Sequence, residues 1–491
     1  MNTWVLNPPF LAKFSRSQRS PAVTKSGTIY FPTWLASIVG VLENAGHNVR
    51  FTDAPARGLT LQDCLAMMHE FSPRLVVVDM STPSVDNDLD VCRAIKEKFP
   101  EAFIVAVGTH VSALAGETLC NGPALDAVAR READYTVLEL AALLEKLGDT
   151  RPGDQELAKI EGLSFRNQAG DAVHNPDRAY IENLDELPWL SKVYQKHLNI
   201  EDYFNPNAPP PMVTLLTSRG CPFRCTYCVY PQTFTGRRYR FRSIKDIVDE
   251  MEYVAQAFPQ ARSIFFEDDT LTANKKRCRE LAEAIVARGV KMDWVANSRI
   301  EVDYETMKAL KAAGCRHLCV GFESGDPGSL AYMAKGTNTG RMFEFMKDAR
   351  RAGMLVHGCF MVGFPGEDAA ALQRTMDLAL KLNPDTAQFY PMMVYPGTEA
   401  FDDYKRRGWI TASSYRDWLT PEGLHNCVVQ NEHFSSAELV RWCDTARRRF
   451  YLRPGYFAFK LWQMALHPHE RRRTLKAATV FFRHLLRGSR V

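Results

Sequence analysis

The sequence predicts two consecutive α/β domains followed by a basic helical tail, and three observations carry that prediction. Short Val/Ile-rich runs alternate with helical periodicity over the first 145 residues. The alternation breaks at a proline-rich stretch and then restarts with a longer repeat. The last fifty or so residues change composition altogether. The boundaries expected from these changes are a doubly wound parallel-sheet domain over 1–145, a linker over 146–211, a partial (βα)6 barrel over 212–425, and a basic helical extension over 426–491.

In chain order, "TWVLNPP" is a short apolar strand ending in a proline pair. "YFPTWLASIVGVLENAGHNVRFTD" gives a helix, a stop at Gly46 and a second strand. "DCLAMMHEFSPRLVVVDMSTP" repeats the unit around Val76, Val77 and Val78, and "DLDVCRAIKEKFPEAFIVAVGTH" repeats it again. Near-continuous Val/Ile strands joined by helices imply a parallel sheet covered on both faces. Ligands of such sheets sit at the carboxyl ends of the strands. Here those ends fall near Asn7, at Ser81 and Thr82, and at Gly108, Thr109 and His110. Pro206 and Pro209 to Pro211 then form a stiff, extended connector.

Six strand candidates follow: "VTLLTS", "SIFFED", "KMDWVANS", "HLCVGFES", "LVHGCFMVGF" and "TAQFYPMMVY". Helical patterns separate them, the first opened by Ser243 as cap with Asp246 three residues on. Six βα units are too few to close an eight-strand barrel, so an open, partial barrel is expected, with its chemistry at the carboxyl ends of the strands. From Arg441 to Val491 there are thirteen Lys and Arg against Asp444 and Glu470 alone. Aromatic residues are interleaved with them, as in "FYLRPGYFAFKLW".

The bulk numbers exclude several classes. The chain has 491 residues, 46% apolar and 24% charged, the balance of a soluble globular protein. A formal charge of +4 gives no general signal for nucleic acid. No secretory h-region and no membrane-spanning apolar run is legible, and twelve cysteines without such a signal point to reduced thiols and a cytoplasmic protein.

Three of the cysteines stand apart. "RGCPFRCTYCVYPQ" places Cys221, Cys225 and Cys228 at C-x3-C-x2-C just after the first barrel strand. A structural zinc or a fully protein-ligated iron–sulfur cluster takes four ligands. No second C-x2-C supplies a partner, though a fourth, scattered cysteine is not excluded by the spacing. Three thiolates on a four-iron cluster leave one iron open to an exogenous ligand.

This motif, with Tyr227 before the third cysteine and a six-unit βα pattern beginning just ahead of it, resembles the radical SAM superfamily. The resemblance implies that the three cysteines hold a 4Fe–4S cluster and that S-adenosylmethionine chelates the fourth iron. It further implies cleavage to a 5′-deoxyadenosyl radical that removes hydrogen from an unactivated carbon. Toward S-adenosylmethionine it places Glu267 and Asp268 of "FFEDDT", although the family's usual Gly-Gly-Glu is absent here. It also places Arg299 at the third strand end, Glu323 and Ser324 of "GFESG", and Gly363 of "GCFMVGFPGE".

The N-terminal segments "NPPF", "GVLENAGHNV", "VDMSTPS" and "VGTHVSALAGETL" resemble the cobalamin-binding domain that precedes many such enzymes. The D-x-H-x-x-G motif that supplies a cobalt-ligating histidine is absent, so base-off binding without a histidine ligand is implied. Ser81, Thr82, Gly108, Thr109 and His110 are the candidate cobalamin residues. "YPQTFTGRRYRFRS" and "FYLRP" are most similar to hopanoid-associated members of the family.

Together these resemblances imply C-methylation of a lipid, lipid-linked or secondary-metabolite substrate. The alternatives are a radical rearrangement such as ring contraction, an oxidation, or a non-catalytic cobalamin and iron–sulfur sensor. A reductant such as flavodoxin or ferredoxin is the implied protein partner. The basic tail, with Arg471 to Arg473, Phe481 and Phe482, suggests peripheral contact with the inner face of a membrane and delivery of a lipid substrate; a cap packed against the barrel is the other reading. Nucleic acid is not the expected partner.

Overall fold

A computed structural model describes residues 1–466. Its first sheet has seven strands: β1 (Asn2–Asn7), β2 (Asn48–Asp53), β3 (Leu75–Asp79), β4 (Phe103–Val107), β5 (Ala127–Ala129), β6 (Leu163–Arg166) and β7 (Ala172–His174). Their order is β2-β1-β3-β4-β5-β6-β7. The first five are parallel, and β6 and β7 extend the sheet antiparallel. Every residue of β3 and β4 is buried, which is why both read as unbroken apolar runs. Strand order reverses between β1 and β3, so the ligand crevice of this doubly wound sheet opens beside Asn7 and Asp79.

The stretch expected as a linker does more than connect. It supplies β6 and β7, and its helix Leu190–His197 packs against the helix Thr33–Asn44 of the first domain. Short strands of mixed polarity such as "LSFR" and "AVH" carry too little periodicity to stand out from a loop in sequence.

After β8 (Met212–Leu215), the two-residue strands β9 (Ser218–Arg219) and β10 (Arg240–Phe241) pair with each other around the cysteine loop. The second large sheet consists of β8, β11 (Ser263–Phe266), β12 (Asp293–Ser298), β13 (Cys315–Glu323), β14 (Leu355–Val362) and β15 (Thr386–Pro391). All six are parallel, in the order β15-β14-β13-β12-β11-β8, and β8 and β15 do not meet. This is an open six-strand barrel with helices outside. Ser243 caps its first helix by accepting from the Asp246 amide (3.2 Å).

Two segments close what the six strands leave open. The helix Ser436–Tyr451 covers the free edge of β15, where Tyr451 Oη accepts from the Ala387 amide (2.8 Å) and donates to its carbonyl (2.7 Å). This part of the tail is therefore a packed cap. On the other side, residues 8–32, the long connection after β1, form a strap across the gap. It is tied down by isolated bridges from Ile29 to Phe204 and from Val23 to Leu424.

The last described helix, Pro454–Leu466, leaves Leu461 and Trp462 exposed. Arg471 to Arg473, Phe481 and Phe482, on which the membrane-surface expectation rests, lie outside the described residues. Among the described residues no helix is long and apolar enough to cross a membrane.

Candidate active site

Segments at the carboxyl ends of the two sheets pack against each other. The helix Thr109–Ala113, at the end of β4, packs against the π-turn Tyr230–Phe234 that follows Cys228. The turn Thr82–Ser84, at the end of β3, packs against Tyr415–Trp418 from beyond the barrel. Buried ion pairs fasten the interface. Arg219, two residues before Cys221, donates to Asp134 Oδ2 (2.9 Å) and to Ser37 Oγ (2.7 Å) of the first domain. Arg240 donates to both oxygens of Glu132 (2.8 and 2.7 Å).

Cys221, Cys225 and Cys228 lie in one irregular loop held by few local bonds, with the Gln232 amide donating to the carbonyls of Thr226 and Cys228 (both 3.0 Å). All three thiols are reduced and partly accessible. Burial and then Asp269 push the Cys221 thiol up to about 11, and burial raises Cys228 further. Among the described residues no trio of His, Cys, Asp or Glu converges as a single metal ion would require. A cluster presents separate iron corners, so three thiols spread round a loop fit it better than they fit zinc. Arg299 Nη1 approaches Cys225 Sγ at 3.7 Å, and its guanidinium lies 3.7 Å from the Phe223 ring centroid. A cation there complements the negative charge of a thiolate-bound cluster.

Two acid–base pairs flank the loop. At the end of β13, Glu323 takes a left-handed backbone (φ 66°) and accepts from Lys335 Nζ (2.6 Å) and Tyr227 Oη (3.1 Å). A Cβ at Gly321 would sit 2.0 Å from Glu323 Oε1, so only glycine lets this pair fold over the strand. After β11, Glu267 Oε1 accepts from Arg19 Nη1 (2.7 Å), and the same guanidinium reaches the Asp268 carbonyl (3.0 Å) and Asp269 Oδ1 (3.2 Å). Arg19 belongs to the strap. Burial pushes the Glu267 carboxyl up to about 7 although Arg19 opposes it. The second oxygens of Glu267 and Glu323 are buried with no hydrogen-bond partner. A native structure seldom leaves such groups unmet.

The structure thus gathers Glu267, Arg299 and Glu323 around the cysteine loop. Asp268, Ser324 and Gly363 have their polar groups engaged within the fold. Asp268 accepts from the Thr217 amide (2.7 Å) and Ser218 Oγ (2.6 Å). Ser324 Oγ pairs with Thr375 Oγ1 (2.9 Å), and the Gly363 carbonyl accepts from Tyr404 Oη (2.5 Å). Arg19 and Lys335 carried no signal in the sequence, because neither sits in a motif.

In the first domain, Ser81, Thr82, Gly108, Thr109 and His110 come together at the ends of β3 and β4. Ser81 Oγ bonds Ser84 Oγ (2.8 Å). His110 Nδ1 bonds Thr82 Oγ1 (3.1 Å), and Tyr415 meets its ring edge-on at 4.8 Å. Burial pushes the His110 pKa down to about 4, so the ring is neutral and enclosed. Gly108 (φ 118°) brings its backbone so close to β3 that a Cβ would stand 2.4 Å from the Met80 carbonyl. The neighbouring floor is polar and buried. Arg16 pairs with Asp88 (2.5 Å) and donates to Asn7 Oδ1 (2.7 Å), while Tyr203 Oη donates to Asp53 Oδ2 (2.9 Å). Burial raises Asp53 to about 6 and Asp79 to about 7. A polar crevice at the switch point, with Gly108 at its rim, fits the amide-rimmed ring of cobalamin.

Comparison with known proteins agrees with this geometry. A family model described as the radical SAM superfamily matches residues 215–379, and one described as the B12 binding domain matches residues 19–141. The chain is 30% identical over 429 residues to an uncharacterised methyltransferase, PH0819, of Pyrococcus horikoshii, covering 87% of this chain and 89% of that protein. It is 25% identical over 393 residues to the hopanoid C-3 methylase of Methylococcus capsulatus, covering 78% and 70%. In fold it is similar to the radical S-adenosylmethionine methyltransferase TsrM of Kitasatospora setae, whose structure holds cobalamin and a [4Fe-4S] cluster. The TM-score is 0.64 at 19% identity, covering 90% of this chain and 81% of that one. The cofactors of this class are a 4Fe–4S cluster, S-adenosylmethionine and cobalamin. With a cobalamin-binding sheet and a three-cysteine barrel packed against each other at their strand ends, the chain belongs to the cobalamin-binding radical SAM enzymes.

Proposed function

We propose that the protein methylates an unactivated carbon of a small-molecule substrate held between the cysteine loop and the N-terminal domain. The carrying observation is the juxtaposition: the polar crevice at the ends of β3 and β4 and the loop of Cys221, Cys225 and Cys228 meet through the contact of Thr109–Ala113 with Tyr230–Phe234. A substrate in that space is within reach of both cofactors at once. When bound, the cluster with S-adenosylmethionine supplies hydrogen-atom abstraction and cobalamin supplies methyl transfer.

The chain's own residues would then bind and orient. Cys221, Cys225 and Cys228 hold three irons, and Arg299 balances charge beside Cys225. Glu267 and Glu323 offer their unmet oxygens to S-adenosylmethionine, with Lys335 and Tyr227 fixing the second of them. In this reading Ser324 and Gly363 shape the strand ends rather than donate side chains, and Asp268 holds the β11 turn. Ser81, Thr82, Gly108 and Thr109 line the cobalamin face, and His110 supports Thr82 from below. The strap keeps water from the gap between β8 and β15. Leu461 and Trp462, ahead of the basic tail, extend the proposal to contact with an anionic membrane surface. A low-potential reductant such as flavodoxin or ferredoxin belongs to it as electron source.

The test is anaerobic reconstitution with iron, sulfide and hydroxocobalamin, reduction, and assay of the products of S-adenosylmethionine. Methylation predicts 5′-deoxyadenosine together with S-adenosylhomocysteine, the latter only with cobalamin, and both lost in Cys225→Ala. Deoxyadenosine without S-adenosylhomocysteine would overturn methylation in favour of rearrangement or oxidation. Intact cofactor binding without either product would mean either a missing substrate or the sensor.

A further inference from the structure

The inner wall of the barrel narrows the substrate's chemistry. Side chains alternate across a strand. On β13, Leu318, Val320 and Phe322 are buried toward the helices, so Cys319, Gly321 and Glu323 face inward. On β14, Val356 and Phe360 pack outward and Cys359 faces in. On β15, Ala387 and Phe389 are buried outward, which turns Gln388 and Tyr390 to the interior. Gln388 is exposed although it lies in mid-strand, so this wall borders open space and not packed core.

Register joins these groups into one surface: Gln388 lies beside Cys359, and Tyr390 beside Met361. Tyr30 comes from the strap, its ring 6.5 Å from Phe265 of β11. Burial, then Glu267 and the thiol of Cys319, raise its pKa. Tyr390 is raised by burial and then by Glu323, Cys359 and Cys228.

Two properties of this wall decide what it can take. First, its cations are already engaged: Arg19 by Glu267 and Asp269, and Lys335 by Glu323. Second, its neutral polar groups lack protein partners. Among the described residues no hydrogen bond engages the Gln388 amide or the hydroxyls of Tyr30 and Tyr390. We propose that the barrel interior receives a neutral, planar part of the substrate bearing a hydrogen-bond donor and acceptor side by side, such as an amide or a nitrogen heterocycle. Gln388 pairs with that edge, and Tyr30 and Tyr390 flank it.

The physical reason is matching. A carboxamide offers one acceptor and two donors in a plane, the complement of another amide edge. An anionic group would meet, among the described residues, lysine and arginine heads already engaged by carboxylates, and would lose its hydration. A hydrocarbon chain would strand the amide and both hydroxyls without water, a mismatch that rejects a ligand more strongly than a missing methylene does. The lipid tail suggested by the hopanoid-like segments is therefore not what this wall is built to hold. The inference rests on the barrel interior being the substrate site of the proposed methylation.

The experiment uses the reconstituted holoenzyme saturated with S-adenosylhomocysteine, so that the nucleoside site is filled. Benzamide, benzoate and toluene are the probes, with dissociation constants from saturation-transfer NMR. Benzamide is expected to bind about tenfold or more tightly than either of the others. Gln388→Leu should cost benzamide about tenfold and leave toluene unchanged or improved, with thermal midpoint and iron content as controls on folding. If that variant does not fold, Tyr390→Phe is read in the same way, with a loss of about threefold. Toluene or benzoate binding best, no probe binding, or benzamide affinity indifferent to both variants would each overturn the proposal. Product assays on the same preparation keep the two readings apart. Missing S-adenosylhomocysteine formation strikes the methylation, whereas a wrong probe order strikes only the pocket chemistry.

Discussion

Arg219 offers the most direct test of how the cysteine loop is anchored. It stands two residues before Cys221, yet its guanidinium is buried against the other domain, with side-chain exposure of 4% for Arg219 and 4% for Asp134. It makes three hydrogen bonds there, to Asp134 Oδ2 (2.9 Å), Asp134 Oδ1 (3.3 Å) and Ser37 Oγ (2.7 Å), and lies 5.3 Å from the Trp34 ring. Replacing it with methionine keeps most of the apolar volume and leaves Asp134 a buried carboxylate without its cation, with Ser37 Oγ as its remaining side-chain donor. Breaking one side of such a pair costs about 3–5 kcal/mol. Removing both partners in Arg219→Met/Asp134→Leu should cost less than the sum of the single changes, with a coupling of about 2 kcal/mol.

The pH dependence gives the argument a sign. Burial alone would raise the Asp134 carboxyl, but Arg219 and the hydrogen bonds outweigh it and hold the native pKa below the ordinary value. That stabilisation is present above the unfolded pKa and is lost as pH falls through the native one. Without Arg219 the raised carboxyl would make the native state worse as pH rises from about 4. The cost of Arg219→Met should therefore grow between about pH 4 and pH 7. Anaerobic urea unfolding followed by tryptophan emission measures it, with Trp34 as a local reporter. A cost below about 1 kcal/mol, the surface-pair range, with no pH dependence, would refute the buried-anchor reasoning.

Two further outcomes follow from the first domain. Gly108→Val puts a side chain where the Met80 carbonyl already stands 2.4 Å from an ideal Cβ, at φ 118°. Hydroxocobalamin uptake, read from its visible spectrum, should fall by about a hundredfold or more while the iron content of the barrel is kept. Asp79, raised by burial to about 7, stabilises the native state fully below its unfolded pKa and loses that contribution as pH rises through about 7. Asp79→Asn should thus leave stability near pH 4 little changed and raise the thermal midpoint near pH 8, by a free energy of a few kcal/mol at most. An equal effect at both pH values would contradict a buried, protonated carboxyl.

Much of the chemistry was local and therefore legible. C-x3-C-x2-C is eight residues long, and the thiols share one loop whatever the rest of the chain does. Unbroken valine runs in β3 and β4 announce a sheet covered on both faces, and the six strand candidates of the barrel all became strands. The Ser243 cap was readable because its donor lies three residues away. The ends of β3 and β4 could be placed on the crevice side because a parallel sheet puts all its carboxyl ends on one edge.

The tertiary structure decided everything that depends on residues distant in sequence meeting. Arg19 and Glu267 are 248 positions apart, and nothing local distinguishes Arg19 from the other cations of its loop. His110 looked available on a ligand-side loop, yet Thr82 and Tyr415 enclose it. The long connection after β1 became the wall that closes an incomplete barrel, because six strands leave an edge and a gap that some other segment must cover. The character of the inner wall belongs here too. Periodicity says that Gln388 and Tyr390 share a face, but only the packing of Ala387 and Phe389 against the outer helices says which face it is. A motif fixes chemistry through covalent neighbours, whereas a cavity is fixed by which faces are left over once the hydrophobic core has been buried.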